Sequence, residues 1–419
     1  MTEPLRVLVL IQGPLGDRPT GPEIRGWEMA RAFATRHRVT AAAAVDRAYT
    51  REGIAIVPRT RRQILSEILR HDVVVGPVIP PYALMALSGR RCLRVADLYD
   101  PVDLELGTLG GWRARRGASQ QRAGRHLHLR WSDVVVCANE RQLERTQRDL
   151  RSVRRSDGGP TLLTVPMGLP DSPERPADHL LRAHFPAIGA DDPVVLWWGS
   201  VWRWLDAGTA IEAIGRLATT RPNVRLVITA GQPSNAATDP LNATEEARHL
   251  ARRAGLLDRN VFFLDKWVPF EERHRYLGDA DVGITLHGAT EEASLAARAR
   301  YMDYVWASLP SVLAEGDEVG DQLAAAGAAR LVAPHDPEAT AAALDALLGD
   351  PVALKRAGDA CRDVAAEYRW AALLEPLVDG VERIDPARRS AARALGVARQ
   401  AGGYYARRAV DRCMTAVAG

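Results

Sequence analysis

The sequence predicts an α/β protein made of two doubly wound domains. Three observations predict it. Apolar runs recur along the chain, each followed by a helical pattern. The runs are continuously apolar rather than alternating, which suits strands covered on both faces, as in a parallel sheet. A proline-rich stretch at 168–193 splits the runs into two series. Strands alternating with helices mean βαβ units, and ligands in such sheets sit beyond the carboxyl ends of the strands. Two such domains facing each other would share a cleft lined by strand-to-helix loops.

In the first series the strands are LRVLVLI (5–11), RVTAAAAV (38–45), IAIVP (54–58), DVVVGPVI (72–79), CLRVADLY (92–99), DVVVCA (133–138) and TLLTVP (161–166). The first run leads into GPLGDRPTGPEIRGWEMARAF (13–33). Thr20 can cap a helix there, Glu23 completes a capping box, and Pro22 fits the first turn. Ile24, Trp27, Ala30 and Ala34 form its expected buried face. Gly21 stands where helix N–H groups can hold an anion such as a phosphate, or it serves a Gly/Pro-rich turn. DLYDP (97–101), with Asp103 and Glu105 after it, puts carboxylates at a strand end. They can orient hydroxyls or act as bases, or Asp97 and Asp100 can cap the strand.

The joint contains Pro170, Pro173, Pro176, Pro186 and Pro193 and reads as a linker. The grammar then restarts with PVVLWWG (193–199), VRLVITAG (224–231), VFFLDKW (261–267), VGITLH (282–287), PSVLAE (310–315) and ARLVAP (329–334). A helix is expected at 207–220, with Ile211, Ile214, Leu217 and Ala218 on one face. WWGSVWRWLD (197–206) places four of the ten tryptophans in ten residues. Trp197 and Trp198 are adjacent strand positions, point to opposite faces, and at least one belongs to the core. Trp202, Arg203, Trp204 and Asp206 fall in the loop where a ligand would bind; Arg203 can neutralise a diphosphate, and Trp202 or Trp204 can stack on a ring. In LHGATEEASLAARARYMDYVWASLPSV (286–312), Glu291 and Glu292 precede a helical segment bearing Arg298 and Arg300. Those arginines are two apart and lie off one another's face, so one of them at most touches a given phosphate. The resulting division is 1–175, 176–385 and a basic tail at 386–419.

Composition narrows the function classes. A chain of 419 residues holds two or three domains, and 47% hydrophobic content gives a core that needs neither disulfides nor a metal. The net charge of +3, with both signs mixed along the chain, argues against a dedicated nucleic-acid binder. Cys92, Cys137, Cys361 and Cys413 are far apart and read as free thiols in a reducing compartment. The apolar start MTEPLRVLVLIQGP is too short to span a membrane and lacks a cleavage site, so a cytoplasmic protein is expected. No GxSxG, Walker or HExxH motif is present, and HLH (126–128) has no acidic partner close in sequence. The tail has seven arginines, Tyr404 and Tyr405, interrupted by Gly402-Gly403. It reads as a solvated helix or as a basic segment touching the anionic inner face of a membrane.

GPEIRGWEMAR (21–31), DLYDP (97–101), WGSVWRWLD (198–206) and RARYMDYVWASLP (298–310) occur in that order. On these motifs the sequence resembles the retaining, nucleotide-sugar-dependent glycosyltransferases of family 4, which have the GT-B fold. The resemblance covers roughly 5–385, and AEYRWAALLEPL (366–377) is similar to the family's final helix, which crosses back onto the first domain. It implies two Rossmann-like domains, a nucleoside diphosphate sugar as co-substrate bound mainly by the second, a hydroxyl acceptor on the first, and no metal or other cofactor. Carried over, Gly21 lies near the donor phosphates, Asp303 is the second acid of the E-x7-E element and contacts the ribose, and Trp267 and Val268 flank the base. The usual Arg and Lys after the Gly-Gly turn are missing: Ser200 replaces the second glycine of the branch and Asp206 stands nearby. Arg203, Arg298 or Arg300 then supplies the positive charge, and Glu291 or Glu292 takes the place of the first acid, where Leu295 stands. The expected catalytic set is Asp100 (facing the acceptor), Arg203 and Arg298; the expected donor-binding set is Gly21, Ser200, Trp202, Trp267, Val268, Glu292, Arg300 and Asp303. The implied reaction moves a sugar to a hydroxyl of a lipid-linked envelope glycan or a natural product. A nucleotide-sugar epimerase of the same architecture and a catalytically silent relative are the alternatives.

Overall fold

The computed structural model describes residues 3–16, 19–87, 90–153, 159–170, 180–231, 242–384 and 404–405. The chain divides into two compact units, Met1–Pro166 with Trp370–Gly419, and Met167–Arg369. The unit boundaries therefore fall at Pro166 and Arg369, whereas the sequence reading placed its boundaries after 175 and 385.

The first unit contains β1 (Arg6–Leu10), β2 (Arg38–Ala43), β3 (Tyr49–Arg51), β4 (Ile54–Pro58), β5 (Val73–Gly76), β6 (Leu93–Asp97), β7 (Val134–Cys137) and β8 (Thr161–Thr164). They form one sheet in the order β3-β4-β2-β1-β5-β6-β7-β8. All neighbours are parallel except β3 and β4, whose antiparallel hairpin the sequence pattern did not reveal. Its two-residue turn, Glu52-Gly53, has positive φ at both positions (51° and 78°), which only a primed turn requires. The strand it serves is short, polar and on the edge, so no apolar run marks it. Six helices follow the strands: α1 (Gly21–Ala34), α2 (Arg61–Ile68), α3 (Pro81–Leu87), α4 (Val102–Gly107), α5 (Gly111–Trp131) and α6 (Glu140–Ser152). Helix α1 buries Arg25, Trp27, Met29, Ala30 and Phe33 and leaves Ala34 exposed, a face rotated from the expected one. The rotation follows Arg25, whose charge is drawn inward by a buried carboxylate described below.

The second unit contains β9 (Val194–Trp197), β10 (Arg225–Thr229), β11 (Val261–Leu264), β12 (Val282–Thr285), β13 (Ser311–Ala314) and β14 (Ala329–Val332), an all-parallel sheet in the order β11-β10-β9-β12-β13-β14. Around it lie α7 (Leu180–His184), α8 (Ala207–Leu217), α9 (Thr244–Arg253), α10 (Arg273–Leu277), α11 (Glu291–Leu295), α12 (Ala299–Trp306), α13 (Glu318–Ala325), α14 (Pro337–Leu348) and α15 (Pro351–Glu367). The expected linker is thus interrupted by α7, and its residues 171–179 lie outside the described ones. All six apolar runs of the second series are strands, and both faces of the sheet are covered: β9, β11, β12 and β13 are buried at every position. Trp197 is fully buried in this core, in one cluster with Ile211, Ile214 and Ile284.

Helix α16 (Trp370–Glu382) belongs to the first unit and packs on α1. Arg36 donates to Asp379 at 2.6 Å and to Glu375 at 3.2 Å across that packing. Of the basic tail only Tyr404 and Tyr405 are described; the Tyr82 amide donates to the Tyr405 hydroxyl at 3.1 Å. Among the described residues no helix is long and apolar enough to cross a membrane.

Candidate functional site

In the second sheet the strand order reverses at β9, which pairs with β10 on one side and β12 on the other. A doubly wound sheet opens a crevice beyond its carboxyl ends at such a point. The residues that follow β9 are Trp198, Gly199 and Ser200. Gly199 turns the chain at φ +83°, a conformation that favours glycine, and its amide donates to Thr229 Oγ1 at the end of β10, 2.6 Å away. Ser200 Oγ donates to the Gly231 carbonyl at 3.1 Å. Gly231 in turn admits the chain after β11: a Cβ there would come within 2.8 Å of the Lys266 carbonyl and of Trp267 Cα. Three strand ends are therefore held edge to edge, with Trp267 and Val268 half-buried beside them. The Trp267 indole N–H is buried and has no hydrogen-bond partner.

Helix α12 is fixed over this turn by Tyr304. Its ring lies on Gly283, where any side chain would come within 2.8 Å of it. Its hydroxyl accepts from the Trp198 amide at 3.0 Å and donates to the Ile284 carbonyl at 2.8 Å, so one phenol clips β9 to β12. Arg300 lies one turn earlier on the same helix face. Its Nη2 donates to the Ser200 carbonyl at 2.9 Å and sits against Gly199. Its Nη1 is buried without a hydrogen-bond partner, and among the described residues no carboxylate forms an ion pair with it. Burial pushes the guanidinium down to about 10, so it remains protonated at neutral pH. Asp303, next to Tyr304, accepts from the Trp198 indole at 3.1 Å and pairs with Arg273 at 3.1 Å. Burial pushes its carboxyl above the ordinary value, opposed by Arg273 and by the Trp198 indole. Arg273 is itself held between the rings of Phe270 and Trp306, 3.5 and 4.0 Å from their centroids.

The other expected charges are engaged differently. The segment 286–312 is broken between α11 and α12, and Arg298 sits at that break. It faces Glu292 in a buried bidentate pair, 3.1 Å at each contact. The two sequence-predicted residues thus neutralise each other. Beyond them, Tyr301 and His287 both bond the fully buried Asp317 at 3.1 Å. Arg203 is exposed and pairs with Glu246. Trp202 and Trp204 stack on each other, centroids 5.4 Å apart at 10°. Asp206 caps α8 through the Thr209 amide at 2.9 Å and also meets His335 Nδ1 at 2.6 Å.

Gly21 and Asp100 belong to the first unit. The carboxylate of Glu23 accepts from the Thr20 amide at 2.7 Å, so the first turn of α1 carries its own anion. Asp100 is half-buried just past β6. The conspicuous contact there joins two of the sequence motifs: Arg25 of α1 binds Asp97 at 2.7 and 2.9 Å and the Pro166 carbonyl at 3.0 Å, entirely buried. Its guanidinium also lies 4.9 Å from the Tyr99 ring centroid.

Solved structures share this architecture. HepE of Anabaena, in complex with UDP and glucose, is similar at 15% identity with a TM-score of 0.67, over 91% of this chain and 100% of its own. Sucrose-phosphate synthase of Thermosynechococcus elongatus is similar at 16% and 0.65, over 91% and 99%. WaaG, a glycosyltransferase involved in lipopolysaccharide biosynthesis, is similar at 16% and 0.64, over 90% and 100%. The chain has the GT-B fold. No family model matches the sequence, and no curated protein matches it. Within the GT-B fold, the second unit brings together Ser200, Trp267, Arg300 and Asp303 of the expected set at one set of strand ends, and draws Arg203, Glu292 and Arg298 into ion pairs of their own. Sequence reasoning missed Thr229, Gly231, Arg273 and Tyr304. Gly231 ends an apolar run and Tyr304 stands inside a quoted motif, so both had a signal; Arg273 and Thr229 had none.

Proposed function

We propose that this chain is a retaining glycosyltransferase that moves a sugar from a nucleoside diphosphate to a hydroxyl acceptor, without a metal. The observation that carries the reading is Arg300 at the reversal point of the second sheet: its Nη1 is buried without a hydrogen-bond partner, and among the described residues no carboxylate pairs with it. Burying a charge without a partner is costly, and a bound diphosphate removes that cost. The likeness to HepE, solved with UDP-glucose, supports a nucleotide-sugar donor.

In this reading Arg300 holds the diphosphate and stabilises the charge that builds on it as the glycosidic bond breaks. The tight turn at Gly199-Ser200 lets the phosphates approach the backbone. Asp303, paired with Arg273, takes the ribose hydroxyls, and Trp267 and Val268 flank the base, with the Trp267 indole N–H as a donor. The first unit takes the acceptor, with Asp100 as the carboxylate that orients its hydroxyl. The acceptor is a lipid-linked glycan or a natural-product intermediate, and the protein works on the cytoplasmic side.

The test is a thermal-shift panel of UDP-, GDP-, ADP- and dTDP-sugars without added metal. A ligand that binds only the folded state raises Tm by mass action, so one base should raise it clearly. No shift with any of them at saturation would overturn the donor site. Binding without turnover would leave a silent relative; conversion of the donor alone would make it an epimerase. The anomeric configuration of the product, read by NMR, decides retention.

A further inference from the structure

The first sheet reverses its strand order at β1, which pairs with β2 on one side and β5 on the other. A doubly wound sheet takes its ligand beyond the carboxyl ends at such a point. Arg59, which follows β4, reaches toward it. Its amide donates to the Ala43 carbonyl at the end of β2, 2.7 Å away, and its Nη1 donates to the Gln12 carbonyl past β1 at 3.1 Å. The residue is half-buried, and its Nε is buried without a hydrogen-bond partner. Among the described residues no carboxylate pairs with it. Burial pushes the guanidinium below its ordinary value, opposed by the Tyr82 phenol. Tyr82 stands in the first turn of α3, past β5, with the Arg61 guanidinium 5.2 Å from its ring centroid. Burial pushes its phenol up, opposed by Arg59, so it is a hydroxyl donor at neutral pH. The Tyr405 hydroxyl accepts from the Tyr82 amide at 3.1 Å, which leaves its own proton free to donate.

We propose that Arg59, with Tyr82 and Tyr405, holds an oxyanion, a phosphate or a carboxylate, carried by the acceptor. A guanidinium and two phenols form a donor set, and charge-assisted bonds from such a set are the strong ones. A neutral acceptor would leave the Arg59 charge unmet, and a buried guanidinium nitrogen without a partner is costly. The inference rests on the reading of the first unit as the acceptor side, and it narrows that acceptor from any hydroxyl compound to an anionic one. Asp100 stands past β6, the strand beyond β5. The carboxylate that orients the hydroxyl and the anchor for the anion thus belong to different strand ends and take different parts of one molecule. Tyr405 makes the carboxyl-terminal segment part of that anchor.

The experiment is calorimetric titration of the full chain carrying Arg300→Gln, which takes the donor site out of the measurement. The probes are inorganic phosphate, acetate and glucose at constant ionic strength. Phosphate or acetate should bind and glucose should not; phosphate would name a phosphorylated acceptor and acetate a carboxylate one. Adding Arg59→Gln should weaken the bound anion about tenfold or more, and Arg59→Lys should weaken it less. Adding Tyr405→Phe should weaken it several-fold. Thermal melts at the parent temperature would verify that the variants fold. Absence of anion binding to the Arg300→Gln chain, glucose binding as tightly as the anions, or unchanged affinity in folded Arg59→Gln protein would overturn the proposal. Donor binding is read separately, by the nucleotide-sugar panel on the unmodified chain. Failure there with anion binding at Arg59 intact overturns the donor site alone.

Discussion

Two arginines at strand ends, fully buried Arg25 in the first unit and partly buried Arg300 in the second, differ in their surroundings. Arg25, by the end of β6, has a bidentate carboxylate, a carbonyl and an aromatic ring, and every contact is internal. Arg300, by the end of β9, has one carbonyl, the Trp197 ring 5.6 Å away and a buried Nη1 with no hydrogen-bond partner, and among the described residues no carboxylate pairs with it. A buried charge must be compensated. Where the chain supplies the counter-charge, the arginine is part of the scaffold. Where it does not, the proposed function makes the arginine a socket for an anion from outside. The motifs alone do not separate these cases, since both arginines stand in segments on which the sequence reading drew its family resemblance.

The first way to break the contrast is to open the closed pair. Asp97→Ala leaves Arg25 buried and uncompensated and should cost about 3–5 kcal/mol of stability, read by urea unfolding. Replacing both, Arg25→Met with Asp97→Leu, should recover most of it. A loss below about 1 kcal/mol for Asp97→Ala would mean that Arg25 finds other compensation, and the contrast would fail.

His128 shows a second way of closing a buried charge, by losing it. The ring is buried in α5 and burial pushes it down to about 4 from 6.5. Between those values the unfolded chain binds a proton that the folded chain does not. The stability is therefore fully present above pH 6.5 and is lost as the pH falls toward 4, about 3 kcal/mol in all. His128→Gln should flatten that stretch of the stability–pH curve; an unchanged slope would place the acid sensitivity elsewhere.

Arg300 should behave in the opposite sense to Arg25. Arg300→Gln removes an uncompensated charge, so Tm should stay level or rise. Affinity for the nucleoside diphosphate should fall by about 1.5–3 kcal/mol, ten- to a hundredfold, as a charge-assisted bond is lost. Affinity for the bare nucleoside should not change, which calorimetry would show. Parallel loss of stability would make Arg300 a scaffold residue like Arg25.

Much of the fold was legible because long apolar runs report burial on both faces directly. The edge strand β3 and the helix α7 were not, being short and set by turn chemistry and local packing. The rotated face of α1 was missed for a different reason: the pattern treats Arg as solvent-facing, and only Asp97, seventy-two positions away, explains why Arg25 turns inward. The same holds at the candidate site. Sequence order set Arg203, Arg298 and Arg300 as equals. Pairing with Glu246, with Glu292 and, among the described residues, with no carboxylate distinguishes them, and pairing is a property of the folded chain. Asp303 stood out by its alignment, but Arg273, which pairs with it, comes from another helix.

Arg203 gives the smallest and sharpest test. It is the arginine nearest the vacant basic positions in sequence, and reading by position makes it the diphosphate ligand. In the structure its side chain is 41% exposed and pairs with an even more exposed Glu246. Exposed pairs contribute little, so Arg203→Ala should change stability by no more than about 1 kcal/mol. If burial without compensation is what marks a binding charge, Arg203→Ala should also leave donor affinity within about twofold, while Arg300→Gln removes most of it. A tenfold loss from Arg203→Ala would show that the loop after β9 rearranges when donor binds, and that a charge closed by a surface carboxylate can still be released to a ligand.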